Sequence, residues 1–379
     1  MNLLFSFGNL IRPTRGGTER VTYQIANGLR SRGHRVFFLI TEECVTVPLP
    51  YHTFTCAGMT PDGKAAYADI LCEKLDIDIL INEAGTSDDV YFLNTSSLKF
   101  PGKIITCIHF DIVGDLQYFY RCYRYPMRSW KDAVRLLRLP WLKRMHTRNR
   151  KQRYRHLLRF SDAVVVPAPA LKEQLFRFSE LPPNSKVRVI PNPAAFEPEW
   201  QHTKEKTALF VGRLSPEKHV DHLLRAWKRS DAENAGWQLL IVGDGALRDS
   251  LENLSRRLKL QRVFFMGQTD EPETLYRRAT LLLLPSDHES FSLVIQEALS
   301  FGCFPISYDF PALSQLLAQP EWGLALRKHS PTAMAKAIRE SIRLNRSNLP
   351  HQQHIHSHLN RFALPGILDT WEQLFSELP

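Results

Sequence analysis

Apolar runs of four or five residues alternate with amphipathic segments along most of the chain, the pattern of strands buried on both faces and separated by helices. The first run predicts a strand at 3–7, and a glycine-bearing loop follows at 8–17. Val21, Ile25 and Leu29 recur at helical spacing and predict a helix over 18–30, after which Gly33 precedes a second strand at 36–40. Such a strand-loop-helix-strand unit builds a parallel, doubly wound sheet. Further runs at 77–81, 104–108, 163–166 and 187–190 extend it. Pro191, Asn192 and Pro193 close the series, and the polar stretch 197–206 reads as a linker between domains. A second series then predicts strands at 208–211, 238–242, 263–266, 280–284 and 304–307, with helices at 220–228, 247–259, 293–301 and 331–344. The last segment, 367–378, sets Ile367, Trp371, Leu374 and Phe375 on one face of an amphipathic helix. The fold class expected is α/β: two Rossmann-like domains, 1–192 and 193–360, facing a central cleft, with a C-terminal helix at about 361–379 packing back on the first. Ligands of such sheets bind beyond the carboxyl ends of the strands.

Composition narrows the class. With 379 residues, 44% of them hydrophobic, the chain can bury two sizeable cores and is not a disordered polymer. Six cysteines, at 44, 56, 72, 107, 122 and 303, form no C-x-x-C pair, which argues against a zinc knuckle or a disulfide framework and for a reducing cytosol. The first residues lack the basic region and cleavage site of a signal peptide, and no run approaches the roughly 18 apolar residues of a spanning helix.

The net charge of +10 is unevenly placed. Residues 121–159 hold fourteen Lys and Arg against one acid, Asp132, so the rest of the chain is net −3. Tyr118, Tyr120, Tyr123, Tyr125, Trp130, Trp141 and Tyr154 are interleaved with these bases or border them. A basic surface with interfacial aromatics suits an anionic membrane, where each base contributes about 1 kcal/mol. An anionic acceptor is the next reading and a single-stranded nucleic acid the third. The bland alternative is a solvated helix face whose arginines pair with acids elsewhere.

The strongest chemical signal runs from Ser286 to Pro305 and contains Glu289 and Glu297, eight positions apart, followed by Ala298, Leu299, Gly302 and Pro305. It follows the apolar run 281–284, which puts Glu289 in a strand-to-helix loop and Glu297 inside the next helix, both expected to face the cleft. The helix start offers unpaired N–H groups to an anion. A surface glutamate on a loop and another on a helix is the structural alternative, and for an isolated pair it would win.

This block resembles the donor-domain signature of the retaining GT-B glycosyltransferases of family 4 (glycosyl transferases group 1), E-x7-E with E-A-L-x-x-G-x-P. The resemblance implies that Glu297 accepts hydrogen bonds from the nucleotide ribose, that Glu289 contacts the donor sugar, and that Ser290, Phe291, Ser292 and Leu293 line the donor. A second block, Gly212-Arg213-Leu214 with Lys218, is similar to the family's G-R-L-x-x-x-K, in which the cations bind diphosphate. The chemistry asks for them, because negative charge accumulates on the leaving oxygens and two fixed cations stabilise it. A third block, Arg15-Gly16-Gly17, matches the family's G-G loop; glycines let backbone approach a ligand, and N–H groups at the helix start can hold phosphate or a hydroxyl. His109 stands where the family often carries a histidine near the donor sugar, against the alternative of a packed loop histidine. Gly243-Asp244-Gly245 resembles the family's G-D-G turn and is assigned a structural role.

The chain departs from the family's E-G-F-G-L in having Ser290 and Ser292 for the two glycines, which offers hydroxyl donors but less backbone freedom. Ala246 and Cys303 also depart from the usual residues, and no chemistry is attached to them. Asp76-Ile77-Asp78 imitates a D-x-D metal motif but opens an apolar run, and is read as structural.

What the resemblance implies is transfer of a sugar from a UDP- or GDP-sugar to a saccharide acceptor with retention, the diphosphate held by Arg213, Lys218 and the Gly16-Gly17 loop. The acceptor is expected to be lipid-linked, in lipopolysaccharide, O-antigen or capsule biosynthesis, and the chain peripheral on the cytoplasmic face of the inner membrane. No metal, no cofactor beyond the nucleotide-sugar substrate and no nucleic acid are expected. The rivals are a glycoside hydrolase using Glu289 and Glu297, a sugar-nucleotide epimerase of similar fold, and a non-enzymatic basic RNA-binding protein.

Overall fold

The structure is a computed structural model that describes residues 1–9, 16–42, 52–83, 99–114, 116, 138–200, 203–344 and 352–378. The chain divides into two units, Met1–Pro193 with Leu364–Pro379, and Ala194–Ala363.

Among the described residues the first unit holds a seven-stranded parallel sheet: β1 Asn2–Phe7, β2 Arg35–Ile40, β3 His52–Thr55, β4 Ile79–Asn82, β5 Lys103–Cys107, β6 Ala163–Val166 and β7 Val187–Val189. The order is β3-β2-β1-β4-β5-β6-β7, so the chain builds outward from β1, then reverses and continues from β4 on its other side. Leu3, Leu4 and Phe5 are completely buried, as a central strand covered on both faces requires. The C-terminal helix Leu364–Glu377 belongs to this unit: it buries Ile367, Leu368, Trp371, Leu374 and Phe375, and Arg32 donates to Asp369 at 2.7 Å and Glu372 at 2.6 Å. Gly28 admits it, since a Cβ there would fall 2.6 Å from Leu368 Cδ1.

The second unit holds β8 Glu205–Val211, β9 Gln238–Val242, β10 Val263–Gly267, β11 Ala279–Leu284, β12 Phe304–Tyr308 and β13 Leu324–Leu326, ordered β10-β9-β8-β11-β12-β13 and again parallel. Its reversal lies between β8 and β11. In doubly wound sheets the loops leaving the two strands at such a reversal diverge and open a crevice at their carboxyl ends. Those loops are 212–219 and 285–292 here, and in the first unit they are the loops after β1 and after β4.

Most boundaries shift by one to three residues from the sequence expectation, and two departures have an evident physical cause. β4 begins at Ile79 rather than 77, because the helix Pro61–Lys74 closes with Ile77 N–H donating to Cys72 O and Asp76 in the left-handed region at φ +51°. The stretch 197–206 is not an unstructured linker. Trp200 Nε1 donates to Leu299 O at 2.7 Å, and β8 already begins at Glu205, where Ala279 pairs with it. Residues 201–202 lie outside the described residues.

Of the basic segment 121–159, residues 121–137 lie outside the described residues, as do Arg15, Cys44 and Cys122. The remainder is the helix Leu139–Phe160, anchored by buried Tyr154, Leu157 and Leu158. No described helix is long and apolar enough to cross a membrane.

Candidate functional site

The two loops at the reversal of the second sheet meet through named side chains. Lys218 Nζ donates to Glu289 Oε1 at 2.6 Å, both side chains largely shielded from solvent. One residue along, His219 Nε2 lies 2.8 Å from Asp287 Oδ2, and Asp287 N–H donates to Glu217 O at 3.0 Å. His329 Nδ1 lies 3.3 Å from the other Asp287 oxygen and its ring stacks on Tyr308. Asp221 stands beside His219 and His222; burial acts to raise its carboxyl, but the two imidazoles outweigh that and hold it below the usual range. The loop from β8 is therefore clasped to the loop from β11 by a Lys-Glu and a His-Asp contact. Arg213, on the same β8 loop, is exposed; its carbonyl accepts from Ser215 N–H at 3.0 Å, and its guanidinium makes no hydrogen bond or ion pair with any described residue.

The Gly243-Asp244-Gly245 turn supports this loop from below, as its structural assignment anticipates. Gly243 has φ +129°, and a Cβ on it would fall 2.0 Å from Gly212 O; one on Gly245 would fall 2.5 Å from Leu214 O. Leu214 N–H donates to Asp244 O at 2.9 Å. Only glycine permits that approach.

Glu297 lies in the helix Leu293–Ser300 and is 3% exposed, with Tyr276 Oη donating to its Oε2 at 2.7 Å. The helix is capped by Ser292, whose hydroxyl makes no capping bond, so its first-turn N–H groups are not closed by the cap. Ser292 has φ +65°, the left-handed region, which explains why a glycine is usual there; Ser290 has no such φ. Leu293 begins the helix. Phe291, expected to line the donor, is completely buried and packs edge-on to Phe362, so its side chain belongs to the core.

In the first unit Gly16 caps the helix Gly17–Ser31 with extended backbone and no side-chain cap, and a Cβ on Gly16 would meet no described atom within 4 Å. Packing among the described residues does not demand that glycine. His109 stands two residues beyond the end of β5, and its Nε2 lies 2.5 Å from Glu83 Oε2, just beyond β4. Asp76 and Asp78 sit at the opposite, amino edge of the sheet, where Asp78 accepts from Asn2 N–H at 2.7 Å. On the basic helix Trp141 is 64% exposed and Arg144 and Arg148 are exposed, while Glu180, from outside the segment, accepts from Lys151 and Arg155.

Among the described residues two groups hold metal-ligating atoms within 4.8 Å of one another, Glu83 with Cys107 and His109, and His219 with Asp221 and His222. The histidines in both already contact protein partners: His109 faces Glu83, His219 faces Asp287, and His222 Nδ1 lies 3.2 Å from Tyr308 Oη. Burial, and then the neighbouring Glu83, push the Cys107 thiol well above its ordinary range.

Sequence reasoning missed Tyr276, Asp287, His219 and Glu83. Asp287 lies inside the quoted block and His219 adjoins Lys218, so proximity to motif residues was the available signal; Tyr276 and Glu83 carried none.

With this geometry in hand, comparison with known proteins identifies the class. Residues 15–196 match the family Glycosyltransferase Family 4, and residues 193–355 match Glycosyl transferases group 1. The two matches together span most of the chain, and it belongs to the group 1 and family 4 glycosyltransferases. Over 198 residues it is 32% identical to an exopolysaccharide phosphotransferase of Streptomyces coelicolor, covering 51% of this chain and 21% of that protein. Over 227 residues it is 27% identical to a Campylobacter jejuni α-1,4-N-acetyl-D-galactosaminyltransferase named for a diNAcBac-PP-undecaprenol-linked substrate, covering 58% of this chain and 61% of that one. The chain thus spans less than two thirds of the length of these curated relatives. Its fold is that of GT-B glycosyltransferases: Anabaena HepE, solved with UDP, superposes with a TM-score of 0.75 at 17% identity, each chain covered fully.

Proposed function

We propose that this chain transfers a sugar from a UDP- or GDP-sugar to a saccharide acceptor with retention at the anomeric carbon, the second unit holding the donor and the first unit the acceptor. The observation that carries the reading is the pairing of Lys218 with Glu289 at the reversal of the second sheet, beside the uncapped helix start at Ser292. A cation held there waits where a diphosphate would bind, and Arg213 on the same loop supplies a second one. In the reaction the bond from C1 to the phosphate oxygen breaks, a bond from C1 to the acceptor oxygen forms, and the acceptor proton passes to the departing phosphate. Charge grows on the leaving diphosphate as the bond lengthens, which is where fixed cations lower the barrier. Arg213 and Lys218 supply that charge without a metal ion. Glu297, held by Tyr276, is assigned to the ribose hydroxyls, Glu289 and His109 to the donor sugar, and Gly16-Gly17 to its phosphate or hydroxyl groups.

A hydrolase needs two carboxyls flanking one bond. Glu289 is engaged by Lys218 and Glu297 is buried under Tyr276, which favours transfer.

The acceptor is assigned as lipid-linked, in surface-polysaccharide synthesis at the cytoplasmic face of the inner membrane. Exposed Trp141 beside Arg144 and Arg148 supports this, as does the undecaprenol in the name of the Campylobacter relative. Incubation with UDP- and GDP-sugars is expected to release nucleotide slowly, and faster once an acceptor is present. Silence from every donor in a folded sample would overturn the reading, and acceptor-independent isomerisation of the donor would replace it with an epimerase.

A further inference from the structure

We propose that Glu83 is the positioning residue for His109, its buried carboxylate fixing the proton-bearing nitrogen of the imidazole and so the face that the ring offers to a sugar hydroxyl. This rests on the assignment of His109 to the donor sugar made above.

The pair is built into the sheet. β4 and β5 are neighbours whose last paired residues are Asn82 and Thr106, so Glu83 and His109 leave the sheet side by side at its carboxyl edge. Glu83 N–H donates to Ser6 O at 3.0 Å, and Ile108 N–H donates to Val165 O at 2.9 Å, which clamps the backbone at one partner and next to the other. The Glu83 side chain is 0% exposed and that of His109 is 9% exposed, with 2.5 Å between Oε2 and Nε2.

As a source of stability this arrangement is poor. A carboxylate removed from water loses several kcal/mol of solvation, and an ion pair seldom returns more than it loses. Among the described residues no lysine or arginine pairs with Glu83, and its Oε1 has no hydrogen-bond partner. Below it lies the Cys107 thiol, fully buried. What the carboxylate does achieve is geometric. A carboxylate oxygen facing Nε2 at hydrogen-bond distance is an acceptor, which places a ring proton on Nε2 and leaves Nδ1 as the nitrogen that the pairing does not engage. His109 Nδ1 has no partner among the described residues. A hydroxyl donating to Nδ1 therefore meets a ring whose tautomer and tilt are already set, which removes an ordering step from binding and reaction.

The test is a cycle of Glu83→Ala and His109→Ala with the nucleotide-release assay. Glu83→Ala is expected to lower kcat about 10- to 100-fold while donor KM changes by about twofold or less. In the His109→Ala background the same change should alter kcat by about twofold or less, because the residue it acts through is gone. Glu83→Gln, whose carbonyl still accepts from Nε2, should recover most of the loss. Independently of turnover, nitrogen-15 NMR of the histidine rings should show a strongly deshielded ring N–H proton that vanishes in His109→Ala and moves upfield in Glu83→Gln. Equal losses in both backgrounds, or a proton signal untouched by Glu83→Gln, overturns the proposal. If the wild-type chain turns over no donor, it is the functional reading that fails, and the proton signal alone upholds or overturns the pairing.

Discussion

Lys218 Nζ rests 2.6 Å from Glu289 Oε1, although 71 positions separate them in the chain. In this structure each satisfies the other; in the proposed reaction the ammonium gains a phosphate partner from the donor. Lys218→Met is therefore expected to lower kcat by about 100-fold or more, a larger effect than on donor KM, because the charge it meets is greatest in the transition state. Lys218→Arg should recover only part, since the guanidinium fork does not replace a point charge. Steady-state nucleotide release measures both, and an unchanged kcat in Lys218→Met would remove the leaving-group role.

Tyr276→Phe removes the hydroxyl that donates to buried Glu297. The carboxylate loses a partner at a site 3% exposed, so stability should fall by about 1–3 kcal/mol, read as a lower melting temperature. Donor KM should rise as well, because the carboxylate assigned to the ribose loses its fixed orientation. A rise in KM of the same size in Tyr276→Phe/Glu297→Gln as in Glu297→Gln alone is expected for residues that act together.

Ser292→Gly relieves a left-handed residue at φ +65° whose hydroxyl has no partner among the described residues. A gain of up to about 1 kcal/mol is expected, and Ser292→Val, β-branched in the same region, should lose more than that. Thermal melting of the three proteins is expected to order them Gly, Ser, Val from most to least stable; serine as the most stable of the three would refute the strain argument.

For the basic helix, flotation with vesicles is the direct measurement. Binding to anionic vesicles, absent with neutral ones and weakened by salt, is expected. Arg144→Glu and Arg148→Glu should each weaken it by about fivefold or more, from about 1 kcal/mol per base. Flotation that ignores both changes would place the acceptor in solution without touching the sugar-transfer reading.

His358 supplies a pH dependence of stability. It is buried beside Trp322 and Phe362, and burial, with Arg361 nearby, holds its pKa below the ordinary 6.5. The unfolded chain therefore takes up the proton first: the contribution is fully present above about pH 6.5 and is lost as pH falls from there through the lower folded value. Melting temperature should drop on acidification below that point, and less steeply in His358→Gln. Parallel slopes for the two proteins would refute the assignment.

Much of the site was legible because its signals are local. Gly243 and Gly245 were assigned a structural turn from their resemblance to the family's G-D-G, and the structure supplies the reason, contact with Gly212 and Leu214. The serine in place of glycine at 292 was noticed as a loss of backbone freedom, and the positive φ shows what that freedom serves. For Phe291 a motif position does not reveal which way the side chain points; its ring is buried and faces Phe362. The linker at 197–206 was misjudged because polar residues open β8, where pairing with β11 decides the outcome and local hydropathy does not.

From the amino-acid order alone came the α/β class, most of the strands, and the residues that carry charge or hydroxyls at their ends, since periodicity and turn chemistry act over a few residues. Which of those residues meet was settled only by strand order. The reversal between β8 and β11 brings Lys218 to Glu289 across 71 positions, and the adjacency of β4 and β5 brings Glu83 to His109 across 26. Strand order follows from how whole sheets bury their faces under helices, a property of the assembled core that no short stretch of sequence contains.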